Sequence, residues 1–200
     1  MNINDLSGRS PSARVVAHYL STLSEGAPAP DVKSYSDIVY FNYFSLGVSL
    51  QFSPQNGYKP TIGLRREQLK DDDLQLGAVD IYNTSSVNGP ARSTVPAFSP
   101  YTRLPLELHL GGATPRVITI AKDSTGKEFV EWLGEPSRKG GGMGPSSGSI
   151  HIWCEWSQHG LMVEFGGSEA RGPQAWERGK DAVWRVVTVF EPKNSSTSPA

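Results

Sequence analysis

The chain has 200 residues, with 19 Lys and Arg against 20 Asp and Glu, and one Cys. This length allows one domain or two small units that share a core, and the near-neutral charge argues against nucleic acid or an anionic membrane surface as the main partner. A single cysteine cannot form an intramolecular disulfide and fits a reducing compartment.

The two ends of the chain carry few apolar residues. The first ten residues, MNINDLSGRS, lack the apolar run of a secretory signal, and no segment is long and apolar enough to cross a bilayer. We therefore expect a soluble, intracellular, cytoplasmic protein. Residues 1–9 and 192–200 are expected to be disordered because they have little to bury.

The sequence predicts two short helices. The first starts at Ser10-Pro11, a cap residue followed by proline at the first helical position, and ends before Gly26. The second starts near Thr125, which forms a capping-box pair with Glu128, and ends at Gly134. Apolar residues recur at helical spacing in both segments, so each helix has one face to bury.

Most of the remaining apolar segments alternate as half-buried strands do. In residues 48–52, for example, Val48, Leu50 and Phe52 fall on one face. The segments 53–76 and 84–100 carry turn residues and prolines and are expected to be mostly loop. The predicted strands are 48–52, 78–82, 104–110, 115–120, 161–165 and 184–190.

One sequence template occurs twice. Residues 40–52 (YFNYFSLGVSLQF) and 153–165 (WCEWSQHGLMVEF) place two aromatics, a glycine and a phenylalanine at the same mutual spacing. A helix precedes each segment and a strand follows it, which indicates an ancient duplication. We predict an α+β fold of two related units, each a short helix packed on an antiparallel three-stranded meander, with an additional bridging hairpin. The units are residues 10–100 and 101–191.

The second copy carries a family resemblance. A helix ending in LGEP, a variable loop, the pattern W…EW…G…V.F and a final strand together resemble the repeats of the β-lactamase inhibitory protein and the small outer-membrane assembly lipoproteins of the same fold. The segment is also similar to uncharacterised bacterial proteins of the immunity type. The resemblance covers residues 125–190 and, more loosely, 11–83. It implies a binding module rather than an enzyme, and it assigns no site residue by position.

The segment RKGGGMGPSSG, residues 138–148, is a glycine-rich loop in this interpretation. Its glycines follow a helix and lead into a strand, the reverse of a phosphate-binding loop, and it contains no GxxxxGK[ST] motif. A mobile connection is the simpler interpretation. The functional one is an adaptable lip over a binding surface, where Arg138 and Lys139 attract an anionic group.

The reactive side chains of the same region give no catalytic motif. Cys154 is expected to be a buried, inert thiol, since it lies in a strand without a histidine base on its face. The histidines show no metal-ligand spacing, so no metal and no cofactor are predicted. His151 and Glu155 could share a strand face, and they are the candidate catalytic pair if the protein is an enzyme.

The aromatic pairs are the strongest functional signal. Tyr40 and Tyr43, like Trp153 and Trp156, are three residues apart, so a regular strand puts the members of each pair on opposite faces. One member of each pair is then core and the other is more exposed, and the sequence does not say which. Exposed Trp and Tyr offer large, rigid contact areas that suit recognition of a protein or ligand.

Two functions follow from these patterns. The first is a non-enzymatic module that binds another protein through an aromatic sheet face, with Trp153 or Trp156 as anchor and the glycine-rich loop adjusting the fit. The alternative is a small cofactor-free isomerase, cyclase or hydrolase, or a ligand carrier, with a Trp-lined pocket containing His151 and Glu155. Neither involves nucleic acid or a membrane. A closed pocket holding both polar residues favours the alternative, and an exposed aromatic surface favours binding.

Overall fold

The computed structural model describes residues 2–84, 96–110, 116–142 and 150–192. The chain divides into two compact units, residues 1–103 and 104–200. Both combine helices with antiparallel sheet, which confirms the α+β class. Within the described ranges, no helix has the length and apolar character needed to span a membrane.

Unit 1 consists of a helix followed by a meander. Its described strands pair in the order β1, β2, β3, β4, and every pairing is antiparallel. Short 3-10 helices cover Ile3–Leu6, Phe44–Leu46, Arg66–Gln68 and Asp71–Asp73. The main elements are α1 (Arg14–Leu23), β1 (Asp31–Ser34), β2 (Val39–Tyr43), β3 (Val48–Pro54) and β4 (Leu74–Tyr82).

Unit 2 also contains an antiparallel meander, together with additional strands and helices. Its strands pair in the order β10, β9, β8, β7, again antiparallel, while β5 and β6 pair with each other as a separate sheet. Further 3-10 helices cover Ser157–His159 and Gly179–Asp181. The main elements are β5 (Leu106–Leu110), β6 (Arg116–Ile120), α2 (Gly126–Leu133), β7 (Arg138–Gly140), β8 (Trp153–Trp156), β9 (Leu161–Phe165), α3 (Ala175–Arg178) and β10 (Trp184–Phe190).

Each unit has a four-stranded meander, one strand more than the sequence predicts. β1 pairs along β2, and β7 pairs along β8 from Arg138 to Gly140. The glycine-rich segment therefore begins as strand rather than loop, and residues 143–149 lie outside the described ranges. Strands this short carry no readable alternation of their own, because they are defined by the neighbour they pair with.

The N-terminal segment is ordered, contrary to the prediction of disorder. Ile3 and Leu6 are buried, and the backbone N–H of Gly8 donates to Leu76 O at 2.9 Å. Two isolated apolar side chains suffice here because the segment packs against α1 and its backbone bonds to an acceptor on β4. The sequence also predicts disorder for residues 192–200. The residues after Pro192 lie outside the described ranges.

The helix boundaries agree with the capping signals in one case and not in the other. α2 begins after Thr125, whose N–H donates to Glu128 Oε2 at 2.7 Å, and it ends at Gly134 with φ 76°. α1 begins at Arg14 instead of following Ser10-Pro11, because the intervening residues form a separate turn closed by the bond from Ala13 N to Ser10 O.

The two long hairpins use the same turn. β2 and β3 are joined by a 3-10 turn ending at Gly47 (φ 67°, ψ 33°), and β8 and β9 by one ending at Gly160 (φ 63°, ψ 38°). Each glycine carbonyl accepts the N–H of the next strand of its meander, from Tyr82 at 2.9 Å and from Phe190 at 2.8 Å. The left-handed conformation explains why glycine stands at both positions.

Candidate functional site

The sheet of unit 2 has one apolar and one polar face. Residues on the apolar face include Trp156, Val163 and Phe165, all buried. α2 covers this face, since the ring of Phe129 lies 6.3 Å from Trp156 and 5.9 Å from Phe165 between centroids. The opposite face carries charged and half-buried side chains, and four of the predicted site residues lie there: Arg138, His151, Trp153 and Glu155.

The structure decides which aromatic of each pair is core. Tyr43 and Trp156 are buried, with 5% and 0% of their surface exposed, whereas Tyr40 and Trp153 are half-buried on the other face. Trp156 also donates its indole N–H to Gly134 O at 2.8 Å. Tyr43 and Trp156 therefore hold the fold together and are removed from the candidate contact residues, because no partner can reach them.

Trp153 lies across the edge of the unit 2 sheet. Its indole covers Gly140 of the neighbouring strand so closely that a methyl group there would come within 2.7 Å of Trp153 Cζ2. The guanidinium of Arg138, also on β7, lies 5.9 Å from the centre of the indole. A cation at this distance is attracted to the aromatic ring. The indole is thus held by two contacts with β7 while part of it stays exposed.

Ion pairs flank Trp153 along the same face. Arg138 contacts Glu155 at 3.2 Å, and Ser157 Oγ donates to the other oxygen of that carboxylate at 2.6 Å. Glu155 is buried, and these bonds satisfy its charge. Glu164, the cross-strand neighbour of Trp153, accepts from Arg185 at 2.6 Å. The predicted residues Arg138 and Glu155 are thus partners rather than independent groups.

His151 belongs to a second cluster on this face. Arg171 Nε donates to His151 Nε2 at 2.7 Å, and His151 Nδ1 lies 3.2 Å from Glu164 Oε1. A neutral ring that accepts at Nε2 carries its proton on Nδ1, which can donate to Glu164. Burial, and then the charges of Arg171 and Arg185, lower the pKa of His151 despite the opposing effect of Glu164. Histidine is therefore neutral here at physiological pH.

The candidate catalytic pair does not share partners. Glu155 bonds to Arg138 and Ser157, whereas His151 bonds to Glu164 and Arg171. A general base needs a free lone pair within reach of a substrate proton. The acceptor nitrogen of His151 is occupied by Arg171, which cannot accept a proton, so His151 has no free lone pair with which to act as a base.

Cys154 lies on the apolar face of β8 and is buried. Burial, opposed by Lys139 and assisted by Glu135, raises the pKa of its thiol to about 11. A thiol with this pKa is protonated at physiological pH and is a poor nucleophile.

Lys139 and Trp176 form a separate contact at the edge of the sheet. Lys139 pairs with Cys154, so it shares the apolar side with that residue rather than the polar side with Trp153. Its Nζ lies 5.6 Å from the ring centre of Trp176 in α3, and 43% of Trp176 is exposed. The adjacent cations Arg138 and Lys139 therefore contact tryptophans on opposite faces.

In unit 1 the equivalent polar face is built differently. Tyr40 contacts Tyr35 edge to face at 6.2 Å between ring centres. Burial, with smaller contributions from Asp80, Tyr35 and Asp37, raises the pKa of Tyr40. Gln51 donates to Asp80 at 2.6 Å on the same face. Of the pair Tyr40 and Tyr43, Tyr40 is the member that remains partly accessible to a partner.

Sequence reasoning missed Arg171 and Arg185. Arg171 lies in a connection with no periodic signal. Arg185 lies at a register shift in β10, between Trp184 and Val186, which local alternation does not reveal. The alternation of β9 predicts the face on which Glu164 lies. Its bond to Arg185, however, depends on the register shift in β10.

Neither a family model, a curated protein nor a solved structure matches this chain. Among residues 2–84, 96–110, 116–142 and 150–192, no group of three or more His, Cys, Asp or Glu side chains could hold a metal ion.

Proposed function

We propose that this chain is a non-enzymatic protein-binding module whose contact surface is the polar sheet face of unit 2 around Trp153. The observation that carries the proposal is the setting of this one side chain: a partly exposed indole held by Gly140 and Arg138 and flanked by satisfied ion pairs. Protein contact sites combine an aromatic anchor with a polar rim, and tryptophan and arginine are enriched among the residues that dominate binding.

The rigidity of the anchor supports this interpretation. Arg138 is tied to Glu155, and Arg185 is tied to Glu164, so the groups beside Trp153 occupy defined positions before any partner arrives. A side chain that is already ordered loses little conformational entropy on binding, which leaves more of the interaction energy for affinity. The partner in this proposal is another protein, and neither nucleic acid nor a membrane is involved.

We also propose that the two units are related by duplication. The common spacing of the aromatic pairs, the left-handed glycine at the same turn and the matching bond from the following strand support this relationship. The resemblance to the repeats of the β-lactamase inhibitory protein and the assembly lipoproteins is part of the same proposal. We place the protein in the cytoplasm, which agrees with a single buried thiol, Cys154.

The experiment compares capture of proteins from an extract of the cells that express this chain. The immobilised baits are wild type, Trp153→Ala and, as matched control, Tyr40→Ala at the equivalent position of unit 1. Near-ultraviolet circular dichroism and thermal unfolding first establish that each bait is folded. We expect a protein that wild type and Tyr40→Ala retain and that Trp153→Ala loses.

Two outcomes contradict the proposal. If folded Trp153→Ala retains every protein that wild type retains, the anchor is elsewhere. If wild type retains no protein but a small molecule co-purifies with it, the enzyme or ligand-carrier alternative replaces the proposal.

A further inference from the structure

Strand β7 forms an edge of the unit 2 sheet. It pairs with β8 on one side, and in the described part of unit 2 (104–110, 116–142 and 150–192) no strand pairs with its other side. An edge strand presents a row of backbone N–H and C=O groups that can pair with another extended chain.

β7 also carries adjacent cations that face opposite sides of the sheet. Arg138 lies with Trp153 on the polar face, and Lys139 lies with Trp176 on the other. The side chain of Arg138 is 63% exposed although it contacts Glu155. Lys139 is exposed and takes part in none of the ion pairs formed among the described residues. The edge therefore has unneutralised positive charge and a tryptophan on each face.

We propose that β7 accepts an extended, acidic segment of a partner protein as an additional strand. The inference rests on the proposed function and specifies the mode of binding and the chemistry of the partner. In strand addition, main-chain hydrogen bonds supply affinity and alternating side chains supply specificity. Two consecutive acidic residues of the incoming strand point to opposite faces. One then meets Arg138 and Trp153, and the other meets Lys139 and Trp176.

Edge cations have a simpler use, since lysine on an edge strand discourages aggregation. That role requires charge alone and no tryptophan on either face. It also predicts that added strands of any charge are rejected. Strand addition instead predicts that an acidic strand is accepted and a basic one is not, and this difference can be measured.

The probe is a capped peptide of sequence Thr-Val-Glu-Glu-Val-Thr, compared with Thr-Val-Lys-Lys-Val-Thr and with the acidic peptide methylated on alternate backbone nitrogens. Binding to the full chain is followed by ¹⁵N–¹H NMR at residues 138–140 and by the hydrogen exchange of their amides. The variants are Lys139→Glu and, as matched control, Lys33→Glu on β1, the exposed lysine of the unit 1 strand that pairs with β2.

We expect the acidic peptide to shift and protect the amides of β7, with weaker binding at higher ionic strength. The basic peptide should leave these signals unchanged. Backbone methylation and Lys139→Glu should each weaken binding by about tenfold or more, whereas Lys33→Glu should not.

Three results would overturn strand addition: no binding of the acidic peptide to the folded chain, equal binding of its methylated form, or equal binding to Lys139→Glu. The proposed function is judged separately by the capture experiment. A partner protein that depends on Trp153 but is retained by Lys139→Glu leaves the binding module standing and removes β7 as its docking strand.

Discussion

The indole of Trp153 lies against the backbone of Gly140, so closely that it leaves no room for a side chain at position 140. A methyl group on Gly140 would meet the indole at 2.7 Å from Cζ2, 2.8 Å from Cε2 and 2.9 Å from Nε1. Contacts this short do not persist, so one group must move. The backbone of Gly140 has no positive φ, and glycine is therefore required for space rather than for conformation.

Gly140→Ala should displace Trp153 without unfolding unit 2. We expect altered near-ultraviolet circular dichroism and tryptophan fluorescence, together with weaker capture of the partner protein. Gly77→Ala on β4 is the matched control, because its methyl group would meet the flexible Ser53 hydroxyl at 3.2 Å and Gln51 O at an ordinary contact distance of 3.9 Å. Unchanged tryptophan spectra in Gly140→Ala would mean that the indole is not held by this contact.

The turn glycines Gly47 and Gly160 should be intolerant of any side chain. Each has φ above 60°, and a methyl group would overlap a backbone carbonyl, that of Ser99 or Phe190 respectively. Gly47→Ala and Gly160→Ala should each lower the free energy of unfolding by about 3 kcal/mol or more in urea denaturation.

Gly57 and Gly172 provide the controls for these turns, one in each unit. Both have positive φ but no heavy atom within 4 Å of an added methyl group. Alanine at either position should cost only the left-handed conformation, about 1–2 kcal/mol. If the turn glycines cost no more than these controls, the close approach of the following chain does not explain their presence.

Trp156 should contribute to stability and not directly to binding. It is fully buried, stacks on Phe129 and donates to Gly134 O. Trp156→Ala should therefore destabilise the protein by about 3–5 kcal/mol. Trp176→Ala, at a position that is 43% exposed, should cost about 1 kcal/mol or less. Urea denaturation measures both, and equal losses would contradict the burial difference.

Protonation of His151 should destabilise the folded chain. Its pKa is lowered from the ordinary value of 6.5 by burial and by Arg171 and Arg185, so the unfolded chain binds this proton at higher pH than the folded chain does. Stability therefore falls as pH drops below about 6.5 and continues to fall until the lowered pKa of the folded state is passed.

His151→Gln should remove this component. Urea denaturation at about pH 7.5 and about pH 5.5 compares the variant with wild type, and the variant should lose less stability on acidification. His18→Gln, at an exposed position of α1, is the control and should behave as wild type does. An identical loss in wild type and His151→Gln would show that other groups account for the acid sensitivity.

The sequence by itself determined features that depend on near neighbours. Alternation placed β9 and β10 at the residues where they occur, and Thr125 with Glu128 located the start of α2. The spacing of Trp153 and Trp156 required opposite faces. These predictions are correct because strand periodicity and helix capping are set by residues a few positions apart.

Only the tertiary structure decided which face became core. α2 brings Phe129 onto Trp156, and that packing leaves Trp153 on the polar side beside Arg138. The order of the N-terminus and the existence of β1 and β7 likewise depend on the segments with which they pair or bond, and for the N-terminus that segment is β4, far along the chain. Burial and strand pairing are cooperative properties of the whole unit. A local sequence pattern can therefore indicate which residues could be buried, but it cannot decide which of them form the core.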